Sequence, residues 1–206
     1  MLLISGRTAT GKDELVNYLT HFGAKKVVSY ATRPKRFEGE ETHRFISPEE
    51  AAKITNRVAE TKIGQYEYFV TADQVRHADV YIIDPIGVKC LSETMPNHDF
   101  NLVYLVSDRE KAKEMALKRA ADPKSEGEIF DRRAAAEDAE FSQFEQMLMQ
   151  DNVSHWFLSG KSFGEYLECQ HNIYPNVMLR EIFRNTFDKE AMEREANYLF
   201  KEMIAK

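Results

Sequence analysis

The sequence holds little cysteine and no long apolar run, and each shortage closes a class of explanation. Two cysteines in 206 residues, Cys90 and Cys169, cannot build a disulfide framework or a cysteine-rich metal site. They read as two ordinary thiols in a reducing compartment. The apolar opening, MLLIS, is too short for a signal peptide, and no later run has the length of a bilayer span. Positive charge is also in deficit: 28 Lys and Arg face 34 Asp and Glu, a net charge of -6. A general nucleic-acid binder or a protein of anionic membrane surfaces would be basic, so neither partner is expected. Repeats, low-complexity tracts and Gly/Ser linkers are missing as well. What remains is 43% hydrophobic and 30% charged, an ordinary globular composition in a chain long enough for one domain with a buried core. The expectation is a single cytoplasmic domain over 1–206, its oligomeric state left open.

Four runs read as strands: 2–5, 26–29, 80–84 and 101–106, each apolar or β-branched and ending in polar or turn residues. Helical patterns lie between several of them. Leu15, Leu19 and Phe22 recur at helical spacing, and 115–133 is rich in Ala, Lys, Arg and Glu. Alternation of strand and helix predicts an α/β fold with a parallel sheet covered on both faces. The last helix is marked by Asp188 as cap, by Phe187 and Met192 placed for a hydrophobic staple, and by an apolar stripe through Ala196, Leu199 and Met203. Residues 31–77 differ, with short β-leaning pieces and many charges, and read as an insertion between two core strands. In 142–180, Ser162 and Glu165 are spaced for a capping box, which predicts a short helix near Trp156.

The segment GRTATGKD begins at the end of the first strand run. Gly6, four residues, Gly11 and Lys12 have the spacing of a phosphate-binding loop. Such a loop needs glycine where a Cβ would block the phosphates, a lysine for their charge, and a helix N-terminus behind it. One position departs from the pattern. A Ser or Thr hydroxyl that ligands Mg²⁺ normally follows the lysine, and here Asp13 stands there. A strand–turn–helix corner that uses glycine for geometry alone is the plain alternative.

The next signal is a basic run in an acidic protein. Arg33, Lys35 and Arg36 follow Lys25 and Lys26 with no acid between them. A solvated face or a nucleic-acid patch could explain this, yet arginines set two or three apart after a strand also suit a monophosphate. Each guanidinium can donate two parallel hydrogen bonds.

Six segments now occur in a recognisable order: VSYATRPKRFEGE, THRFIS, AETKIGQYEYFVT, IIDPIGV, KRAADPKSEGEIFDRRAAAEDAEF and RNTFDKEAMERE. Together with the loop they resemble guanylate kinase, a P-loop nucleoside-monophosphate kinase family, over nearly the whole chain except about 142–180. The resemblance implies a three-layer P-loop fold. Its core would be 1–30, 78–118 and 142–206, its monophosphate-binding insertion 31–77, and its helical lid 119–141. It implies ATP and Mg²⁺ as cofactors and a nucleoside monophosphate, GMP or dGMP, as acceptor. ATP would lie on Gly6, Arg7, Thr8, Ala9, Thr10, Gly11, Lys12 and Asp13, with Asn185 near the adenine and Asp13 on the metal. Ser29, Arg33, Arg36, His43 and Tyr68 fall on phosphate-contacting positions of the acceptor site, and Glu60 falls on the acid that reads guanine. Asp84 falls on a carboxylate near metal and acceptor, and Arg119, Arg132 and Arg133 fall in the lid. With Lys12, these last four form the implied catalytic set.

Departures accompany the likeness. Besides Asp13, Val70 stands where a small hydroxyl residue contacts guanine O6, and Ile82 replaces the first of two acids. The chemistry expected is phosphoryl transfer by alignment and charge neutralisation, without a general base. Three rivals stand beside it: a kinase of the same class with another base preference, a non-catalytic guanylate-kinase-like binding module, and a nucleotide hydrolase that drives a partner.

Overall fold

The computed structural model describes residues 1–120, 122–148 and 167–205, with the side chains of Arg119 and of residues 167–171 outside that description. Strand β1 (Leu2–Gly6) is completely buried, and its side chains alternate between two cores. Leu2 and Ile4 face one side with helix α1 (Lys12–His21), while Leu3 faces the other. This period of two is what a strand inside a two-faced sheet requires. Strands β2 (Tyr30–Ala31) and β3 (Arg44–Phe45) follow, then helix α2 (Pro48–Ala51), the hairpin β4 (Arg57–Ile63) and β5 (Tyr66–Thr71), and helix α3 (Ala72–Arg76). The chain then returns to the core with β6 (Val80–Ile82), α4 (Pro85–Thr94), β7 (Phe100–Val106) and α5 (Arg109–Arg119). A helix of 26 residues, α6 (Pro123–Leu148), precedes the hairpin β8 (Leu167–Tyr174) and β9 (Val177–Arg184) and the final helix α7 (Lys189–Ile204).

The main sheet has the order β6-β1-β7-β9-β8, parallel except for β8 on β9. One face carries Leu15, Val16 and Leu19 of α1 with Met192, Ala196 and Leu199 of α7. The other carries Val88 and Leu91 of α4 with Phe141, Phe144 and Leu148 of α6. Three layers result, and the mixed α/β class expected from the sequence is what is found. The insertion forms its own sheet, β3-β2-β5-β4, packed on α4 through Val58, Ala59 and Val70. No helix among the described residues is long and apolar enough to cross a membrane.

Several local expectations need correction. The run 26–29 gives an isolated bridge, Lys26 to Val80, because the chain leaves the main sheet to pair as β2 in the inserted one. The pattern over 115–133 is two helices, since Pro123 has no N–H to continue α5 and instead opens α6. The run 80–84 stops at Ile82, and Asp84 becomes the cap of α4. Asp188 caps α7 as expected, accepting from Glu190 and Ala191 N–H. The staple is not formed: Phe187 packs against Ala112, Ala116, Phe130 and Ala134, whereas Met192 belongs to the core under α1. The hairpin β8–β9 was not expected, and Trp156, Ser162 and Glu165 lie outside the described residues.

Candidate functional site

The C-terminal ends of parallel strands β6, β1 and β7 share one edge of the main sheet, the edge at which open α/β sheets bind ligands. The 6–12 loop leaves β1 there. Gly6 is needed on steric grounds, because a Cβ would sit 2.5 Å from the Leu105 carbonyl oxygen. Gly11 adopts φ +94, a conformation L side chains avoid, and a Cβ would meet Asn185 Nδ2 at 2.2 Å. Gly11 also stands at the N-cap of α1, where no side chain makes a capping hydrogen bond. Ala9 takes the left-handed conformation too, at φ 58.

Within this turn the polar groups are held by the chain itself. Lys12 Nζ donates to the carbonyl oxygens of Gly6 (2.7 Å) and Arg7 (2.6 Å), and Thr10 Oγ1 donates to Arg7 O (2.9 Å). Burial pushes the Lys12 ammonium toward losing its proton, and the charges of Glu137 and Asp13 oppose this. Asn185 Nδ2 donates to Thr10 O (2.9 Å), and its Oδ1 accepts from Phe187 N–H (2.7 Å). Asn185 is therefore buried as a stitch between the loop and the turn before α7.

Helix α6 lies against the loop. Arg7 donates through Nε and Nη2 to Glu145 (2.9 Å each) and through Nη1 to Asp138 (2.6 Å), and Ser142 Oγ lies 3.3 Å from Nη2. The hydrogen bond to Glu145 is the main reason the guanidinium is held above its ordinary range. Tyr104, at the heart of β7, donates to Glu145 Oε1 (2.6 Å). The Thr8 N–H donates to Glu137 Oε2 (2.8 Å). Positions 138, 142 and 145 fall on one face of a helix, and the buried Phe130, Ala134, Phe141 and Phe144 line the neighbouring face. A cavity of about 370 Å³ lies here, between the loop, the end of β7, Arg109 and α6.

A second cavity of about 230 Å³ opens between the inserted sheet and the end of β6. It is lined by Ser29, Arg36, His43, Tyr68 and Asp84, with Thr61, Tyr81 and the apolar Ala59, Ile63, Ile82 and Ile83. His43 Nδ1 and Ser29 Oγ are 2.7 Å apart, and the His43 ring stands edge-on to Tyr68. Burial, then Arg33, lowers the affinity of His43 for a proton. Burial, then Arg33 and Arg133, also pushes Arg36 below its usual value, so α6 brings positive charge to this cavity. Asp84 accepts from Gly87 N–H (2.6 Å) and Thr61 Oγ1 (3.2 Å), while burial pushes its carboxyl up. Its charge, after burial, also raises Glu140 on α6. Asp13 is exposed in the first turn of α1, and its charge is felt by both Lys12 and His43.

The remaining sequence-derived positions lie elsewhere. Arg33 is 7% exposed and bidentate to Glu40, with Nη1–Oε2 2.9 Å and Nη2–Oε1 2.6 Å, and it stacks on Phe45. Glu60 is not in the cavity. The pleat of β4 turns Ala59, Thr61 and Ile63 inward, and Glu60 lies 3.3 Å from Arg57 on the other face. Val70 is fully buried in the core between β5 and α4. Arg132 and Arg133 are exposed on α6, and the Arg119 side chain lies outside the described residues. Sequence reasoning missed the acids of α6, Glu40 and Thr61. Only the i, i+4, i+7 spacing of Asp138, Ser142 and Glu145 could have signalled the first.

No family model matches the sequence, and no curated protein matches it. Among solved structures, the chain is similar to guanylate kinase from Anaplasma phagocytophilum, with a TM-score of 0.58 at 17% identity. The match covers 100% of this chain and 84% of that one. The chain thus has a mixed α/β fold of three layers around a mostly parallel five-stranded sheet. More narrowly, that fold is similar to the fold of this guanylate kinase.

Proposed function

We propose that this chain transfers the terminal phosphoryl group of ATP to a nucleoside monophosphate, GMP or dGMP first among acceptors. The observation that carries this reading is the meeting of Ser29, Arg36, His43, Tyr68 and Asp84 in one cavity beside a Gly-x₄-Gly-Lys loop. An arginine, an imidazole and two hydroxyls converging in about 230 Å³ suit a phosphate with part of a nucleoside. The preference for guanine rests on the sequence resemblance alone, since Glu60 and Val70 lie outside that cavity.

In this mechanism Arg36, Ser29, His43 and Tyr68 hold the acceptor phosphate, and its own anionic oxygen attacks without a base. Lys12 turns from the loop carbonyls to the phosphates of ATP, whose charge offsets the burial that now favours its neutral form. Arg119, Arg132 and Arg133 bring further positive charge from the α5–α6 side, and α6 and the inserted sheet keep water from the transferring group. Asp13, exposed at the start of α1, and Asp84 would hold a Mg²⁺ ion, which is usually bound by one or two carboxylates together with substrate phosphates. The described residues contain no cluster of three or more His, Cys, Asp or Glu placed to hold a metal. When bound, the ion would neutralise phosphate charge.

The test is a coupled ADP-release assay over a panel of ribo- and deoxynucleoside monophosphates. Turnover highest with GMP or dGMP is expected. Efficient use of a pyrimidine nucleotide would keep the reaction and remove the base assignment. Absence of turnover with every acceptor would favour the non-catalytic binding module.

A further inference from the structure

The 6–12 loop already has an anion on it, and the anion belongs to the chain. Glu137 Oε2 accepts the Thr8 N–H at 2.8 Å, a loop amide of the kind that phosphate oxygens take in such turns. The same carboxylate acts electrostatically on Lys12, whose ammonium is folded onto Gly6 O and Arg7 O. The contact is not left to one flexible side chain. The helix that carries Glu137 is held at the loop by Arg7 through Asp138 and Glu145, and Glu145 is held in turn by Tyr104 from the sheet. Ala134 and Phe130, about one and two turns earlier, pack with Ala9 of the loop itself. Glu137 is thus presented to the loop by a rigid, anchored element.

We propose that Glu137 is a built-in competitor that occupies the anion position of the loop, so that a polyphosphate must displace it in order to bind. This rests on the reading of 6–12 as a phosphate loop. One N–H cannot serve a carboxylate and a phosphate oxygen together, and two anions on one half-buried amide repel strongly. The apparent affinity of the loop for polyphosphate is then its intrinsic affinity reduced by the fraction of molecules in which Glu137 has moved away. The device explains how a loop beside a sheet edge can wait without gripping any passing anion. Displacing Glu137 would also release part of the contact that holds α6 down.

Calorimetric titration with inorganic tripolyphosphate, with and without Mg²⁺, tests this on the intact chain. Four proteins are compared: wild type, Glu137→Gln, Glu137→Ala and Asp131→Asn. Asp131 lies on the same helix but pairs with Lys113 at 2.7 Å, so its variant removes one negative charge away from the loop. The two Glu137 variants should bind about tenfold or more tightly than wild type, and Asp131→Asn should match wild type. In the absence of ligand, amide hydrogen exchange around Thr8 should be faster in Glu137→Ala. Equal affinities in wild type and Glu137 variants overturn the proposal while leaving the phosphate loop intact. Weaker binding in those variants also overturns it, by making Glu137 part of what holds the ligand. Equal tightening in Asp131→Asn reduces the effect to general charge and overturns it as well. If none of the four binds tripolyphosphate, both this proposal and the phosphate-loop reading fall. Glu137→Gln preserves side-chain shape, and its melting curve guards against a folding artefact.

Discussion

In the 6–12 loop both cations, Arg7 and Lys12, are held by partners within the chain, whereas across the site Arg36 faces a cavity with no ion-pair partner among the described residues. Arg33, three positions before Arg36, belongs with the first group, because Glu40 takes both of its terminal nitrogens. The difference separates arginines that build a site from one that is available to it. A buried guanidinium matched by a carboxylate fixes a loop, and removing its partner leaves an uncompensated charge. A guanidinium without such a match keeps its donors for a ligand.

The most severe test of this contrast is Lys12→Met. The proposed reaction should fall by about two to three orders of magnitude, while the hydrogen bonds lost to Gly6 O and Arg7 O should cost only about 1 kcal/mol each in urea unfolding. Retained activity would break the assignment of the loop. Next come the two arginines, compared as a pair. Arg36→Ala should raise the KM for the monophosphate by more than about tenfold while leaving stability and the KM for ATP nearly unchanged. Arg33→Ala should instead cost about 3–5 kcal/mol in urea unfolding, because Glu40 would be left buried and unpaired. If the two variants behaved alike, the division between structural and available arginines would fail.

Asp13 sharpens the comparison from the metal side. In Asp13→Ala the Mg²⁺ concentration for half-maximal rate should rise several-fold, and Asp13→Ser should recover most of the activity, as expected of a carboxylate or hydroxyl ligand. An unchanged metal requirement in Asp13→Ala would reduce Asp13 to a favourable acid in the first turn of α1. The smallest effect is a pH dependence. The hydrogen bonds from Arg33, then the Arg36 N–H and Thr42, hold the Glu40 carboxyl well below the ordinary glutamate range. Its stabilising contribution is therefore complete above the unfolded-chain value and fades as pH falls toward the folded one. Urea midpoints measured from about pH 6 down to about pH 3 should show wild type losing stability faster than Glu40→Gln, so that the gap between them narrows. A gap that widened with acid would contradict the pairing.

Legibility in the sequence followed distance along the chain. Strands β1, β6 and β7, the glycine loop and the Asp188 cap are written in short windows, and each is found close to its expected place. The side of β4 that faces the cavity was not legible, because one step of register moves every side chain to the opposite face. Glu60 and Thr61 exchange places on that account. The partners of Arg7 lie 131 and 138 positions away and follow only from how α6 crosses the loop. The β8–β9 hairpin escaped for a different reason. Its first strand, Leu167–Tyr174, alternates only as far as Gln170 before the polar run Gln-His-Asn breaks the pattern, and its Pro175–Asn176 turn carries no glycine. Asn176 repays the missing signal only in three dimensions, joining Ser92, Met95 and His98 across the base of α4.

Helix α6 joins the two ends of the site in one continuous rod. Arg133 and Glu145 are twelve positions apart, a separation of about 18 Å along the helix axis at 1.5 Å per residue. The rod is held along that whole length: Arg7 and Tyr104 take Glu145, Arg7 takes Asp138, Lys113 takes Asp131, and Phe130 and Ala134 pack with Ala112 and Ala116 of α5. Arg133 is therefore carried at a fixed distance from the loop, and its charge is felt by Arg36 at the second cavity. The helix is a ruler, and its length sets how far the charge beside one cavity stands from the carboxylates beside the other.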